Sequence, residues 1–482
     1  MDAALLTLKA HDRERQRKLK ALRKAGIPYG EAREALRDDY LFFSAFEFFM
    51  DADRREATGA VYTPEWVVTL MVDRLLDTWQ AQHAPEALWD ARVLDPACGS
   101  GNFPDVLAQR LVDRLRRLFP DRSQASVEDH VLTHMLHAWD INAEALAICR
   151  QRLHDRWGVE PAHVCLQGNT LLEDPAPFDL IIGNPPYGDL LDASTKAQIA
   201  DAYGNIALNF IDWSVAHLKE DGECALIVPH SFTRVKTRYD RWRAHMQDGG
   251  HVAGVIDVGN PFWDITLEEV IFFLNRRDNP TVWTESHKTP TVERRVVPVD
   301  EFYNARFDRK MMLHWDPFYH AMQEAQGRYP FGGRRGQDVS KAQLSEQAGP
   351  DTRWHILGKN IEKGQLRPIP GYDRHIRADQ MKPSLVLTEP VVAITQFGTN
   401  LKAARLDTRH HPSGGVVVIR HEGLTQDEAI AYLNHPATNH YLKKFVFNDA
   451  DLTVHIDGVY LQEIPYVGLD TLNELAPLIP SS

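Results

Sequence analysis

The stretch Phe178-Asp179-Leu180-Ile181-Ile182-Gly183-Asn184-Pro185-Pro186-Tyr187 decides how this chain is read. Its first six residues are a short, nearly continuous apolar run, the kind a parallel sheet buries on both faces. The two prolines that follow give up two backbone donors, stiffen the chain and leave carbonyl oxygens pointing outward. A strand Phe178–Gly183 would therefore deliver Asn184 to the carboxyl edge of a sheet, where open parallel sheets bind ligands. The pattern extends on either side. Further short apolar runs, at Arg92–Ala97, His137–Ile141, His163–Gln167, Cys224–Val228, His251–Val258 and Val270–Leu274, alternate with amphipathic stretches such as Asn142–Asp155 and Ala207–Leu218. From about residue 58 to 278 this alternation predicts an α/β domain, a Rossmann-like sheet with helices on both faces.

Outside that span the texture changes. Residues 1–57 read as a short N-terminal helical extension. Its first half is basic (Arg13, Arg15, Arg17, Lys18, Lys20, Arg23, Lys24) and its second apolar (Leu41, Phe42, Phe43, Phe46, Phe49). The Pro- and Thr-rich segment Asn279–Val297 breaks the alternation and is the expected boundary, closing an α/β domain at 58–285. Residues 300–482, with irregular strands and denser turn signals, predict an α+β domain.

Composition narrows the classes. The chain has 482 residues, 43% hydrophobic and 25% charged, the profile of a globular protein with two domains and an extension. No apolar run approaches the roughly 20 residues that span a bilayer, and the N-terminus lacks a signal-peptide core, so a cytoplasmic protein with no membrane partner is expected. Cys98, Cys149, Cys165 and Cys224 are widely spaced and the 22 histidines do not cluster at ligand spacing. Reduced thiols and no metal site are the expectation. A net charge of −13 argues against a nucleic-acid partner, but a basic excess runs from Arg334 through Lys402 and Arg405. A solvated face would look the same.

A second chemical signal is Asp95-Pro96-Ala97-Cys98-Gly99-Ser100-Gly101. An apolar strand ends in an acid and runs into a tight glycine turn before a helix; Gly99 and Gly101 let backbone pass close to a ligand. The third glycine of a dinucleotide loop is absent, and a carboxylate there suits a cationic amino group better than a pyrophosphate. The second strand ends at Asp140-Ile141-Asn142, where Asp140 can hold a ribose and Asn142 can cap the next helix. The third ends at Asn169-Thr170, a polar tip that could meet a purine ring. Upstream, Tyr62-Thr63-Pro64 leads into a helix and could close over the same ligand. At the fourth strand, the Asn184 side-chain oxygen and the Pro185 carbonyl are two acceptors for the two N–H bonds of an aromatic amino group. Tyr187 offers a flat face for stacking. Phe262, in Gly259-Asn260-Pro261-Phe262-Trp263, is a second aromatic candidate, with core packing or a role for Trp263 as the alternatives.

In this order, Thr-Pro segment, glycine loop, Asn-Pro-Pro-Tyr, then a C-terminal domain, the chain resembles the gamma-class N6-adenine DNA methyltransferases. The C-terminal part resembles a Taq-type specificity domain through Leu357–Ile361, Ile394–Gly398, Ala431–Asn434 and Leu461–Pro465. The resemblance implies a class I methyltransferase sheet with a C-terminal target-recognition domain. It implies S-adenosylmethionine as cofactor, held by Thr63, Asp95, Ala97, Cys98, Gly99, Gly101, Asp140, Ile141, Asn169 and Thr170. Asn184, Pro185, Pro186 and Tyr187 would be the catalytic segment, drawing the amino nitrogen toward tetrahedral geometry for attack on the sulfonium methyl. Tyr187 and Phe262 would stack on an adenine flipped from double-stranded DNA, and Lys402 and Arg405 would face DNA. The family usually carries aspartate where this chain has Asn169. An uncharged amide there implies weaker cofactor affinity. Action as a monomer is expected, with a cognate restriction endonuclease or phage-defence proteins as further partners. The first fifty residues are too short for the nuclease domain of larger relatives, so no DNA cleavage is expected. Competing readings are a non-catalytic DNA-binding specificity subunit and a methyltransferase acting on RNA, a protein glutamine or cytosine.

Overall fold

The computed structural model describes residues 3–36, 62–164, 168–199, 203–234, 239–262, 267–289, 291–398, 400–450 and 454–480. The apolar half of the N-terminal extension and Trp263 lie outside the described residues. The chain forms two compact units, Met1–Phe232 with Lys236–Ala305, and Arg306–Ser482 with Thr233–Val235.

The first unit is built on a nine-stranded sheet. Its strands are β1 (Val93–Asp95), β2 (Leu136–Ala138), β3 (His163–Val164), β4 (Phe178–Gly183), β5 (Leu218–Pro229), β6 (Val252–Gly259), β7 (Glu269–Asn275), β8 (Thr281–Ser286) and β9 (Glu293–Pro298). They lie in the order β3-β2-β1-β4-β5-β7-β6-β8-β9. The first five are mutually parallel, and β7 runs antiparallel to both neighbours. Each expected strand is present in the described residues, with residues 165–167 of the third lying outside them; β1 and β2 end early, and Pro96–Ala97 and Trp139–Ile141 leave the ladder to form loops at its carboxyl edge.

The segment expected to separate two domains belongs instead to the sheet. β8 pairs in parallel with β6 and antiparallel with β9, which carries the first unit to Ala305. Its polar composition is that of a sheet edge. In β9 the exposed Glu293, Arg294 and Arg295 stand where unpaired backbone would otherwise invite another strand.

Helices cover both faces. Leu180 and Ile182 join Ile227, Ile271 and Phe273 in one core cluster with the helices Glu65–Gln80 and Asn102–Leu118. Their neighbours Ile181, Leu226 and Phe272, also fully buried, point the other way by the two-residue period of a strand. There Trp242 of the helix Asp240–Asp248 meets Phe272 edge-on, ring centroids 5.9 Å apart. The N-terminal helix Ala3–Lys24 is docked on the same unit: Asp12 accepts a hydrogen bond from the Trp66 amide (3.0 Å), Lys9 donates to the His287 carbonyl (2.7 Å) and Arg15 pairs with Glu65.

The second unit is α+β. One sheet is antiparallel throughout, Phe331–Arg335, Val416–His421, Val391–Thr395 and Ala403–Leu406 in spatial order. A second four-stranded sheet joins Leu344–Ser345, Arg374–Arg377, Thr352–Ile356 and His410–Pro412, with the last pair parallel. Ile356, Ile361, Leu387, Ala393, Ala404, Leu406 and Val416 form a core. Among the described residues of the chain, no helix is long and apolar enough to cross a membrane.

Candidate active site

The sheet order reverses between β1 and β4: the chain proceeds from β1 toward β2 and β3, and from β4 toward β5. A doubly wound sheet leaves its ligand crevice at the carboxyl ends of such a pair. Both segments singled out in the sequence emerge there.

On the β1 side, Asp95 is fully buried. Its Oδ1 accepts from the Ala97 amide (3.1 Å), while Oδ2 has no hydrogen-bond partner among the described residues. Burial pushes this carboxyl well above its ordinary range, and the neighbouring Asp140 charge adds to the effect. An unpaired buried carboxylate is unfavourable by several kcal/mol unless a cation or a proton meets it. Gly183 at the end of β4 permits the arrangement, since a Cβ there would stand 2.7 Å from Asp95 Oδ1. The glycine turn is equally tight: Gly101 has φ of +90°, and a Cβ on it would meet Cys149 Sγ at 2.7 Å. Asp140 ties the turn to β2, accepting from the Gly99 amide at one oxygen and from the Asn142 amide at the other, both at 2.8 Å. Asn142 caps the helix Ala143–Trp157 as expected. Ile141 is 71% exposed at this edge, an apolar surface open to a ligand's ring.

Other expected contacts are taken up by the protein itself. Thr170 is buried and donates to the Pro96 carbonyl (2.7 Å), so its hydroxyl braces the turn. The Asn169 side-chain oxygen accepts from the Leu171 amide (3.2 Å) and shapes the third-strand tip. Ala97 is half-buried; Cys98 is buried, and desolvation pushes its thiol up.

On the β4 side, half-buried Asn184 is held by two hydroxyls. Its Nδ2 donates to Thr63 Oγ1 (3.0 Å), and its Oδ1 accepts from the Tyr187 hydroxyl (2.5 Å). Thr63, expected at the cofactor, thus also accepts from the Asn184 amide, a link sequence reasoning missed. Pro185 is buried and Pro186 half-buried. Tyr187 is half-buried, packed against the core with its hydroxyl directed inward. Phe262 is 5% exposed within the same core cluster, so it takes the core-packing alternative and presents no free face for stacking here. Sequence reasoning also missed Glu269, fully buried at the start of β7 beside the Tyr187 hydroxyl. The signal was an acid heading an otherwise apolar run; the expected strand began one residue later.

In the second unit, Lys402 pairs with Glu362 (2.9 Å) and Arg405 with Asp427 (2.6 Å), all part-exposed. Among the described residues no group of His, Cys, Asp or Glu is placed to hold a metal ion.

The first unit thus sets an acid-opened glycine turn on one side of the switch point of a doubly wound sheet and Asn-Pro-Pro-Tyr on the other. The chain belongs to the N-6 DNA Methylase family, whose model matches residues 37–297. It is similar to the Type II methyltransferase M.VspI of Vibrio sp. (strain 343), 24% identical over 226 residues that make up 45% of this chain and 48% of that protein. It is also similar to the Type II methyltransferase M.BstVI of Geobacillus stearothermophilus, 26% identical over 46% of this chain and 42% of that protein. The match therefore spans about half the length of these relatives or less. Among solved structures, the fold is shared with the Type IIL restriction-modification enzyme MmeI in complex with DNA (TM-score 0.56, 13% identity, 88% of this chain, 69% of that one). It is shared also with the DrdV–DNA complex (TM-score 0.53, 13% identity, 96% and 59%).

Proposed function

We propose that this chain is a site-specific, adenine-specific DNA methyltransferase that methylates the N6 amino group of an adenine flipped out of double-stranded DNA. The observation that carries this reading is the pair across the switch point: Asp95 Oδ2 without a partner on one side and the Asn184 amide on the other.

S-adenosylmethionine, when bound, supplies an electrophilic sulfonium methyl. The residues present fit it. Asp95 Oδ2 would take its ammonium, relieving a buried charge, and the exposed side chain of Ile141 would cover a face of its adenine. Asp140 would meet the ribose while keeping the glycine turn closed. Asn169 would border the ring, and Thr170 would brace the loop from behind.

Asn184 Oδ1 and the Pro185 carbonyl accept the two N–H bonds of the target amino group, so the nitrogen lone pair leaves conjugation and points at the methyl. Thr63 keeps the Asn184 amide from rotating. The nitrogen would take the methyl as the methyl's bond to sulfur breaks and leaves a neutral thioether, and would then release one proton past Asn184 Oδ1 or the Pro185 carbonyl to solvent, so no strong base is needed. Tyr187 provides the stacking face. The second unit would read the DNA, with Lys402 and Arg405 meeting phosphates. The Type II methyltransferase relatives support a cognate restriction endonuclease as a cellular companion.

The test is transfer of labelled methyl from S-adenosylmethionine to unmethylated duplex DNA, followed by nucleoside analysis. Label in N6-methyladenine is the expected result. Folded, cofactor-binding protein that labels only RNA, protein or cytosine, or nothing, would overturn the proposal.

A further inference from the structure

Glu269 has no place in the chemistry so far. It opens β7 opposite Pro229 of β5 and Gly259 of β6, which puts it at the carboxyl edge of the parallel strands, level with the catalytic segment. It is fully buried, and neither carboxyl oxygen makes a hydrogen bond of good geometry among the described residues. The group it lies against is the Tyr187 hydroxyl. Burial pushes the Glu269 carboxyl well above the ordinary value, and the charge of Glu268 beside it acts in the same direction. A buried acid without good partners is a standing expense to the fold, and nothing in the packing of β5, β6 and β7 requires it.

The Tyr187 hydroxyl, meanwhile, fills the atom the reaction needs. It donates to Asn184 Oδ1 at 2.5 Å, and an amide oxygen already accepting a short hydrogen bond is a poorer acceptor for a second donor. The hydroxyl can be redirected by rotation about its C–O bond, with the ring left in place. The Ile227 carbonyl, at 3.3 Å, is a distant alternative acceptor within the sheet. The Glu269 carboxyl has oxygens to spare.

We propose that Glu269 is a positioning residue that takes over the Tyr187 hydroxyl when the target amino group arrives, releasing Asn184 Oδ1 to accept from the substrate. This rests on Asn184 being the acceptor of that amino group. Charged or neutral, the carboxyl keeps an accepting oxygen, so the amide of glutamine can stand in for it and an isosteric hydrocarbon cannot.

The experiment is steady-state methyl transfer by the full chain on unmethylated bacterial genomic DNA, with Glu269→Gln, Glu269→Leu and Asn184→Ala, each also followed by thermal melting. Glu269→Leu is expected to lower kcat more than about tenfold, with KM for DNA and for cofactor changed by less than about threefold. Its melting temperature should equal or exceed that of the parent, because an unpaired buried acid has been removed. Glu269→Gln should restore most of kcat. Activity and stability then move in opposite directions, which a purely structural residue would not produce. In a Tyr187→Phe background, whatever its own rate, Glu269→Leu should have little further effect on kcat, as no hydroxyl remains to be held. Glu269→Leu protein as active as the parent would overturn the proposal. So would a Glu269→Gln protein as impaired as the leucine variant, or the same fractional loss from Glu269→Leu in both backgrounds. If Asn184→Ala still transfers methyl, the reading of the site fails as well; if it is inert while the Glu269 variants are normal, only this inference fails.

Discussion

Asn184 is kept in place by two hydroxyls, one from distant Thr63 and one from the neighbouring Tyr187, so its amide is aimed before any substrate arrives. Replacing it with alanine should lower transfer by at least about a hundredfold, the scale on which one preorganised polar contact at a reacting centre acts. Cofactor affinity, measured by calorimetry, should stay within about twofold, because the Asp95 side of the crevice is untouched; loss of both together would make Asn184 a structural residue. Asp95 gives a pH test. An ammonium is attracted only to the ionised carboxylate, and burial raises the pKa of this one. Cofactor affinity should therefore be full at alkaline pH and fall as pH drops through the raised pKa, starting above the range of an ordinary aspartate. Asp95→Asn should bind roughly tenfold or more weakly at high pH and lose that pH dependence. An unaltered profile in the variant would mean that the ammonium is held elsewhere. Asn184 and Asp95 were legible in the sequence because strand, breaker and turn are local patterns. The hydroxyl of Thr63 was not, since its partner lies 121 residues away and only the closed sheet brings them together. Phe262 was ambiguous for the same reason: an aromatic after a strand reads alike whether it faces a ligand or the core.

At the scale of elements, the central strands could be read because β4, β7 and the later part of β5 are buried on both faces and carry apolar runs. The edge could not. β8 and β9 lie where fewer residues are buried, so their polar letters resembled a linker. The N-terminal helix was also read from its charges as an extension, whereas Asp12 on its inner side accepts from the Trp66 amide in the first turn of the helix Glu65–Gln80. That contact has a measurable signature. Burial lifts the Asp12 carboxyl from 3.8 to about 6, against the opposing pull of the Trp66 amide and Arg15. Between those values the folded chain holds a proton that the unfolded chain has lost. This contribution is therefore greatest below the unfolded value and declines as pH rises through about 4 to 6, by no more than roughly 3 kcal/mol. Asp12→Asn keeps an acceptor for Trp66 and removes the charge. Its melting temperature should exceed that of the parent at pH 8, and the gap should close on acidification to pH 4. A gap that is constant with pH would show that Asp12 does not titrate in this window.

For the molecule as a whole, the question is how a chain of net charge −13 approaches DNA. The basic excess of the second unit was visible in the sequence, but its partners were not. Arg335 pairs with Asp338, Arg374 with Glu346, Arg377 with Asp379, Lys402 with Glu362, Arg405 with Asp427 and Arg409 with Asp407. Exposed pairs of this kind contribute about 0–1 kcal/mol each, so a phosphate can replace the carboxylate at little cost, and the local neutrality restrains binding where no phosphate fits the geometry. On this view Lys402 and Arg405 exchange partners on DNA. Each cation that meets a phosphate contributes about 0.9 to the slope of log affinity against log salt. Lys402→Glu and Arg405→Glu should therefore each flatten that slope by about one and weaken binding most at low salt. Glu362→Gln, which leaves Lys402 without its competitor, should tighten binding at low salt while the slope keeps its value. Fluorescence anisotropy with a labelled duplex across a salt series measures all three. A slope unchanged by both charge reversals would put this stretch on the solvated face, with the phosphate contacts made by other residues.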